Sequence, residues 1–239
     1  MNELYLANRN LSEAYRQKLQ EITSSLDQSS AFSNGSDINP QKYYLDFKNR
    51  AVEFVCKETE LLKKECLNSD NSHLILLKQT VLVDIIVQEA YASALWLFNN
   101  KNSQDLTPEK VPLAILARGG YGREEMYFRS DADIQIVSQS CLEDEKKKWT
   151  EEIIRHFEYL FIFQDIFPAS SNSCYTEMET FEKDLSPEKV SQFLALLVHR
   201  FVTGIKFAYK EFNSCIKTVI LMYQYDGGRD TIEVVVTDK

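Results

Sequence analysis

A chain of 239 residues is long enough for one large domain or two small ones and can bury a substantial core. Its apolar and charged fractions are ordinary for a globular protein, and a net charge of -9 argues against a non-specific nucleic-acid binder. The five cysteines are odd in number and no two have zinc-ligand spacing, so we expect reduced thiols, a cytoplasmic protein and no zinc.

The N-terminal region is expected to be helical, because apolar residues recur at helical spacing from Leu11 to Leu26 and again from Gln41 to Leu67. Pro40 can begin the second helix, since its missing N–H would be unpaired at that position anyway. The serine-rich segment 27–39 between the two helices is predicted to be a loop. No signal peptide is visible at the N-terminus.

A third predicted helix, from Ser72 to about Asn99, is apolar almost throughout. Lys78, Asp84, Gln88 and Glu89 would lie at mid-depth if this helix crossed a bilayer, where polar and charged groups are costly. We therefore interpret it as a buried helix and expect no membrane partner.

The most distinctive stretch runs from Leu113 to Val137. It predicts a short strand, a glycine-rich turn and a second strand that starts on Asp131 and Asp133. A turn with so little side chain lets backbone N–H groups approach an anion closely, and carboxylates two positions apart on a strand point to the same face. A phosphate-binding turn beside paired acids is typical of metal-dependent phosphoryl or nucleotidyl transfer.

The C-terminal part is predicted to alternate helices with weak strands. The expected elements are a helix over Leu142–Phe163, a strand over Asn172–Met178, a helix from the Ser186-Pro187 start through Phe201 with Gly204 as its cap, further helix over Ile205–Tyr223, and a strand over Thr231–Thr237. The closing strand leaves a continuation in a longer parent chain open.

The central motif resembles the signature of a known superfamily. Its residues are Gly119-Gly120-Tyr121-Gly122-Arg123-x-Glu125 followed by Ser130-Asp131-x-Asp133. This pattern is similar to that of the DNA polymerase β-type nucleotidyltransferases, and more narrowly to the N-terminal part of PII-protein uridylyltransferase, the GlnD family. The segment Leu196–Gly204 is also similar to a helix of that family.

The resemblance implies an α+β fold: a small mixed sheet of the nucleotidyltransferase type, a helical N-terminal region over 1–100, and a nucleotidyltransferase-like domain over 101–239. It implies transfer of a nucleoside monophosphate from an NTP to a hydroxyl, by a uridylyl- or adenylyltransferase type of enzyme. Asp131 and Asp133 would bind Mg²⁺ or Mn²⁺, and Gly119, Gly120, Arg123 and Ser130 would hold the nucleotide.

Each of these roles has a structural alternative. The two aspartates could be exposed acids of a turn, and Arg123 could instead form a salt bridge with Glu124 or Glu125. Ser130 could cap the turn into the second strand. Arg118 could be a solvated charge at the end of a strand, and His199 a partly buried histidine without a catalytic role.

The chain also departs from the family pattern. Arg118, Glu124, Gln135 and Val198 stand where the family has other residues, and segment 171–175 replaces the motif Gly-His-Ser-Val-Arg. The third carboxylate of the superfamily is unassigned among Asp165, Glu177 and Glu179. These departures motivate an alternative, a degenerate, non-catalytic module that binds nucleotide or protein; a helical scaffold is a further option.

The expected partners are a nucleoside triphosphate and a protein or small-molecule acceptor. An acidic chain would repel a polynucleotide acceptor, so we expect no nucleic acid. The base of the NTP, the acceptor, the capacity for turnover and the oligomeric state stay open.

Overall fold

A computed structural model describes residues 2–24, 39–139, 142–161, 173–177, 199–206 and 208–210. The elements in these ranges are α1 (Asn2–Ser24), α2 (Pro40–Leu67), α3 (Ser72–Asn102), β1 (Leu113–Arg118), α4 (Gly119–Gly122), β2 (Ile134–Ser138), α5 (Asp144–Phe161), β3 (Ser173–Glu177) and β4 (His199–Gly204). The three long N-terminal helices, β1, β2, α5 and the weak strand β3 confirm the corresponding predictions.

Local capping explains where α2 and α3 begin. The Asn39 side-chain oxygen accepts hydrogen bonds from the amides of Gln41 and Lys42, and Pro40 occupies the first turn. The Asn71 side chain accepts from the amide of Leu74 at the start of α3. These contacts satisfy amides that have no partner within the helix.

Helix α3 is the core of the protein. It is long and apolar enough to cross a membrane by length and composition, but 78% of its most apolar window is buried inside the protein. It packs against α1, α2 and α5 and also contacts β4. The interpretation of this segment as a buried helix is therefore confirmed.

The four strands form one mixed sheet in the order β3-β2-β1-β4. Strand β1 is antiparallel to both β2 and β4, whereas β2 and β3 run parallel. Ile115, Ala117 and Ile134 belong to the same hydrophobic cluster as residues of α2, α3 and α5. The α+β class with a small mixed sheet is confirmed, and the division of the chain at residue 100 stays a prediction.

The helix predicted through Phe201 is wrong over residues 199–204, which form β4. Phe201, Val202 and Thr203 are aromatic or β-branched and favour a strand that can pair with β1. Gly204 is not a helix cap: it has φ +97°, and a Cβ there would lie 2.4 Å from the Leu113 carbonyl oxygen. The tight approach of two backbones, rather than the end of a helix, requires this glycine.

Other predictions fall outside the described residues. They are the loop over most of 27–39, the part of the Ser186 helix before residue 199, most of the helix over 205–223 and the strand over 231–237.

Candidate nucleotidyltransferase site

The glycine turn, residues Gly119–Gly122, is a single helical turn that connects β1 to the segment before β2. Its end is closed by hydrogen bonds from the amide of Arg123 to the Gly119 oxygen at 3.1 Å and from the amide of Glu125 to the Gly120 oxygen at 2.9 Å. Gly119 has φ +55°, and a Cβ on it would lie 3.5 Å from Oδ2 of Asp133. The open face of this glycine therefore lies directly against a carboxylate.

The aspartate pair, Asp131 and Asp133, immediately precedes β2 instead of starting it, which corrects the predicted strand boundary. The Arg118 amide still donates to the Asp133 carbonyl oxygen at 2.9 Å, so the β1–β2 ladder extends by one bond. Both side chains are half-buried. Burial and, secondarily, the charge of Asp131 raise the pKa of Asp133, and the opposing effect of Arg118 does not cancel this.

These properties fit a divalent cation. A raised carboxyl pKa beside a second acid means that two negative charges are held close together with incomplete solvation, a situation that a cation would relieve. Oxygen donors suit Mg²⁺, which often takes only one or two protein carboxylates and completes its shell with water and phosphate. Within the described ranges, no group of three or more His, Cys, Asp or Glu residues could hold a metal ion.

Arg118 and Gln135, two departures from the family pattern, contact each other in this structure. Arg118 Nη1 donates to Gln135 Oε1 at 3.4 Å, and Gln135 is 1% exposed. The Gln135 side-chain nitrogen, Nε2, donates to the Ile136 backbone carbonyl oxygen at 3.2 Å. Arg118 lies opposite Asp133 in the ladder, so its cation is on the same face of the sheet as the aspartate pair.

Arg123 and Ser130 make the structural contacts that were the alternatives to nucleotide binding. Arg123 Nε donates to Glu125 Oε2 at 2.7 Å, with both side chains about half exposed. The Ser130 hydroxyl oxygen accepts from the Tyr127 amide, and the Ser130 amide donates to the Tyr127 carbonyl oxygen, which closes a turn. An exposed ion pair is weak and can exchange partners, so Arg123 remains accessible to a phosphate.

The third carboxylate is not assigned by the described residues. Strands β2 and β3 pair Ile134 with Ser173 and Ser138 with Glu177. The Glu177 backbone thus lies at the far end of the sheet, about 17 Å along the strand from Asp133. Asp165 and Glu179 fall outside the described residues. His199 pairs with Arg118 in the β1–β4 ladder, and its ring meets that of Tyr209 edge-on.

A buried charge cluster beneath the glycine turn was not predicted. We name it the Asp84 cluster: it consists of Asp84 in α3 with Arg16, Tyr121 and Arg200. The sequence offered one indication, the charged residue Asp84 in a helix that is apolar almost throughout, because such a group needs partners when it is buried. Burial and then the Asp84 charge raise the pKa of Tyr121. Burial opposes the charge on Arg200, but Asp84 outweighs this and raises the Arg200 pKa.

The glycine turn and the aspartate pair lie within one region that matches the model of a known protein family. Residues 78–168 match a family model described as "Putative nucleotidyltransferase DUF294", and this range spans most of α3, β1, the glycine turn, the aspartate pair, β2 and α5. No curated protein matches the chain. The predicted resemblance to nucleotidyltransferases is confirmed over residues 78–168, and this match is consistent with a superfamily member like the N-terminal region of GlnD.

Proposed function

We propose that this chain is a metal-dependent nucleotidyltransferase that moves a nucleoside monophosphate from an NTP to a hydroxyl of a protein or small molecule. The observation that carries the proposal is the position of Asp133 Oδ2 against the open face of Gly119. A phosphate on the glycine turn would meet this carboxylate, and two adjacent anions require a cation between them.

Each group of residues has a distinct task in this reaction. The first amides of α4 have no helical carbonyl to bond and can donate to phosphate oxygens, while Arg123 can leave Glu125 to pair with them. Asp131 and Asp133 would hold Mg²⁺ or Mn²⁺, which would neutralise charge on the reacting phosphates. Ser130 holds the turn before the aspartate pair and lies beside it in the chain.

The transfer itself is a displacement at the α-phosphorus. The acceptor oxygen forms a bond to this phosphorus and gives up its proton to water or a carboxylate, while the bond to the bridging oxygen breaks and pyrophosphate leaves. The type of enzyme that we propose is a uridylyl- or adenylyltransferase. The net charge of -9 favours a protein or small-molecule acceptor over a polynucleotide.

The test is to incubate the full chain with each labelled NTP, Mg²⁺ or Mn²⁺ and a cell lysate, and to look for label on a protein or metabolite. The double variant Asp131→Asn/Asp133→Asn should lose transfer and the thermal stabilisation by Mn²⁺ with NTP. The double variant Glu143→Gln/Glu145→Gln, which removes two exposed acids at the start of α5, is the matched control for charge. Metal-dependent NTP binding that survives in the aspartate variant would contradict the proposal.

The alternative is a non-catalytic module that binds nucleotide or a protein. It is favoured by the Arg118 cation beside Asp133, which would compete with a metal for the carboxylate. If this alternative is correct, the chain binds nucleotide but transfers no label under any of the conditions above. Transfer by the wild-type chain that the aspartate variant abolishes would eliminate it.

A further inference from the structure

We propose that Asp84 is a positioning residue of the nucleotide site: it anchors the glycine turn through Tyr121, and α1 acts on the turn through the same carboxylate. This inference rests on the proposed function for its effect on nucleotide binding. Its structural half, the anchoring of the turn, can be measured without any nucleotide.

The glycine turn needs an anchor because of its composition. Three of its four residues are glycine, which restricts the backbone least, so Tyr121 is the one side chain of this turn that extends beyond the backbone. The Tyr121 side chain is 1% exposed and its hydroxyl donates to Asp84 Oδ1 at 2.8 Å. A hydrogen bond to a buried carboxylate is among the stronger ones, so it holds Tyr121, and with it the turn, in position against α3.

Asp84 is itself held by two arginines from distant parts of the chain. Arg200 of β4 donates Nη2 to Oδ1 at 2.8 Å and Nη1 to Oδ2 at 3.0 Å, a bidentate pair. Arg16 of α1 donates Nη2 to Oδ2 at 2.8 Å. The Asp84 side chain is 2% exposed, so these bonds act with little competition from water. Both oxygens of the carboxylate are thus fixed in place.

Arg200 of the Asp84 cluster also contacts the turn and the residue that follows it. The Arg200 guanidinium lies over the Tyr121 ring at 5.5 Å, and its Nε is 3.7 Å from Glu124 Oε1, just after the turn. The turn is therefore located between two carboxylates, Asp84 beneath it and Asp133 against Gly119. A displacement of Tyr121 would move Gly119 relative to the aspartate pair, which would change the space for a phosphate.

Helix α1 reaches this arrangement through Arg16. The Arg16 side chain lines a cavity of about 370 Å³ between α1 and α3, together with Thr80 and Asp84. Because this space is open, a shorter or uncharged residue at Arg16 can be accommodated with water and without overpacking. The link from α1 to the turn is thus electrostatic at this point, and a substitution at Arg16 removes it together with a longer contact from Arg16 Nη1 to Gln88 Oε1 at 3.4 Å.

The experiment compares Tyr121→Phe with Tyr43→Phe in the full chain. Tyr43 is the matched control, since it is also a buried tyrosine whose hydroxyl makes one side-chain hydrogen bond, to Ser93 at 3.0 Å. Two quantities are measured: hydrogen exchange of the amides of residues 123–125, all three of which donate to carbonyl oxygens of the turn, and the Kd for NTP with Mn²⁺. We expect Tyr121→Phe to accelerate exchange at these amides and to weaken NTP binding by about tenfold or more. Tyr43→Phe should leave both at wild-type values.

A second pair tests the role of α1. Arg16→Met removes one of the two cations on Asp84, whereas Lys18→Met removes a cation of the same helix that pairs with Glu58 of α2 at 3.6 Å. We expect exchange at residues 123–125 to rise in Arg16→Met and not in Lys18→Met.

The outcomes separate the two proposals. Unchanged exchange at residues 123–125 in Tyr121→Phe overturns the positioning role of Asp84, whether or not the Kd for NTP changes. Faster exchange in that variant, with no NTP binding by the wild-type chain, supports the anchor and contradicts the proposed function. Equal losses in Tyr121→Phe and Tyr43→Phe would reduce Asp84 to a residue of general stability and overturn the inference.

Discussion

Arg118 and Gln135 form a hydrogen-bonded pair across the β1–β2 ladder, on the face of the sheet that carries Asp133. Each of the two residues alone is an unexpected polar group in a buried strand region. The pairing accounts for both polar groups, because the side-chain oxygen of Gln135 accepts a hydrogen bond from the Arg118 guanidinium. Arg118 Nε is buried and has no acceptor among the described residues, so the pair is only partly satisfied.

This pair predicts non-additive mutations. Gln135→Leu should cost about 1–3 kcal/mol in the free energy of unfolding, because Arg118 Nη1 loses its acceptor while it stays partly buried. In the double variant Arg118→Ala/Gln135→Leu the cost should be smaller than the sum of the single costs, with a coupling of about 0.5 kcal/mol or more. Urea unfolding of the four proteins measures the cycle, and strictly additive costs would show that the two side chains do not depend on each other.

The Asp133 carboxylate, which would bind the metal, is expected to lower the stability of the folded protein at neutral pH when no metal is bound. Its raised pKa means that the folded state holds the proton to higher pH than the unfolded chain. The stability from this group is complete below the unfolded pKa and is lost as the pH rises through the folded pKa, so the ionised carboxyl destabilises the protein at neutral pH. Asp133→Asn should therefore raise the thermal midpoint at pH 7 in EDTA and abolish the increase that Mn²⁺ produces in the wild type. A lower midpoint in EDTA would contradict this account.

Replacement of Glu124 by glycine should give a more stable protein than replacement by alanine. Its φ is 65°, a left-handed conformation that strains a residue with a Cβ, and its carboxylate lies 3.7 Å from Arg200 Nε. Glu124→Ala and Glu124→Gly both remove the charge, but only glycine relieves the strain. We expect Glu124→Gly to be about 1–2 kcal/mol more stable than Glu124→Ala by urea unfolding. Equal stabilities would indicate that the backbone there relaxes without cost.

The features that were predictable from the sequence are those set by local chemistry. Pro40 marks the start of α2, as predicted, and the motif from Gly119 to Asp133 lies within the region that matches the nucleotidyltransferase family model. Even the boundary error at Asp131 and Asp133 is one of a few residues.

The features that were missed depend on partners far along the chain. Phe201 and Val202 fit the apolar spacing of the predicted helix, and the pairing of residues 199–204 with β1, far away in the chain, is what makes this segment a strand. Asp84 and Arg200 are 116 residues apart, so no local pattern reveals their contact. A buried acid indicates that the fold supplies charged or hydrogen-bonding partners for it, but the sequence does not identify those residues.

The glycines predict a graded series of alanine substitutions. Gly204→Ala should be the most damaging, because its Cβ would meet the Leu113 carbonyl oxygen at 2.4 Å at a φ of +97°. Gly119→Ala should cost about 1–2 kcal/mol, since it has left-handed φ but an ordinary 3.5 Å contact. At Gly120, where no contact is closer than 3.8 Å, alanine should be nearly neutral. Thermal unfolding ranks the three, and a Gly120→Ala variant less stable than Gly204→Ala would contradict the described geometry.

His156 of α5 predicts a loss of stability in mild acid. Its Nδ1 is hydrogen-bonded to the Tyr44 hydroxyl of α2, and its Nε2 lies 3.8 Å from Glu152. Burial lowers the His156 pKa, and the charge of Glu152 opposes this only in part. A histidine with a depressed folded pKa stabilises the protein above its unfolded pKa of about 6.5, and this contribution is lost as the pH falls through the folded pKa.

The experiment is unfolding by urea at a series of pH values from neutral to mildly acidic. The wild-type free energy of unfolding should fall as the pH drops below about 6.5. His156→Gln keeps an acceptor for Tyr44 but cannot become charged in this range, so its profile should be flatter. His73→Gln, at an exposed position in α3, is the matched control and should keep the wild-type slope. If His156→Gln retains that slope as well, the acid sensitivity arises from other groups, and the α2–α5 contact does not depend on a neutral histidine.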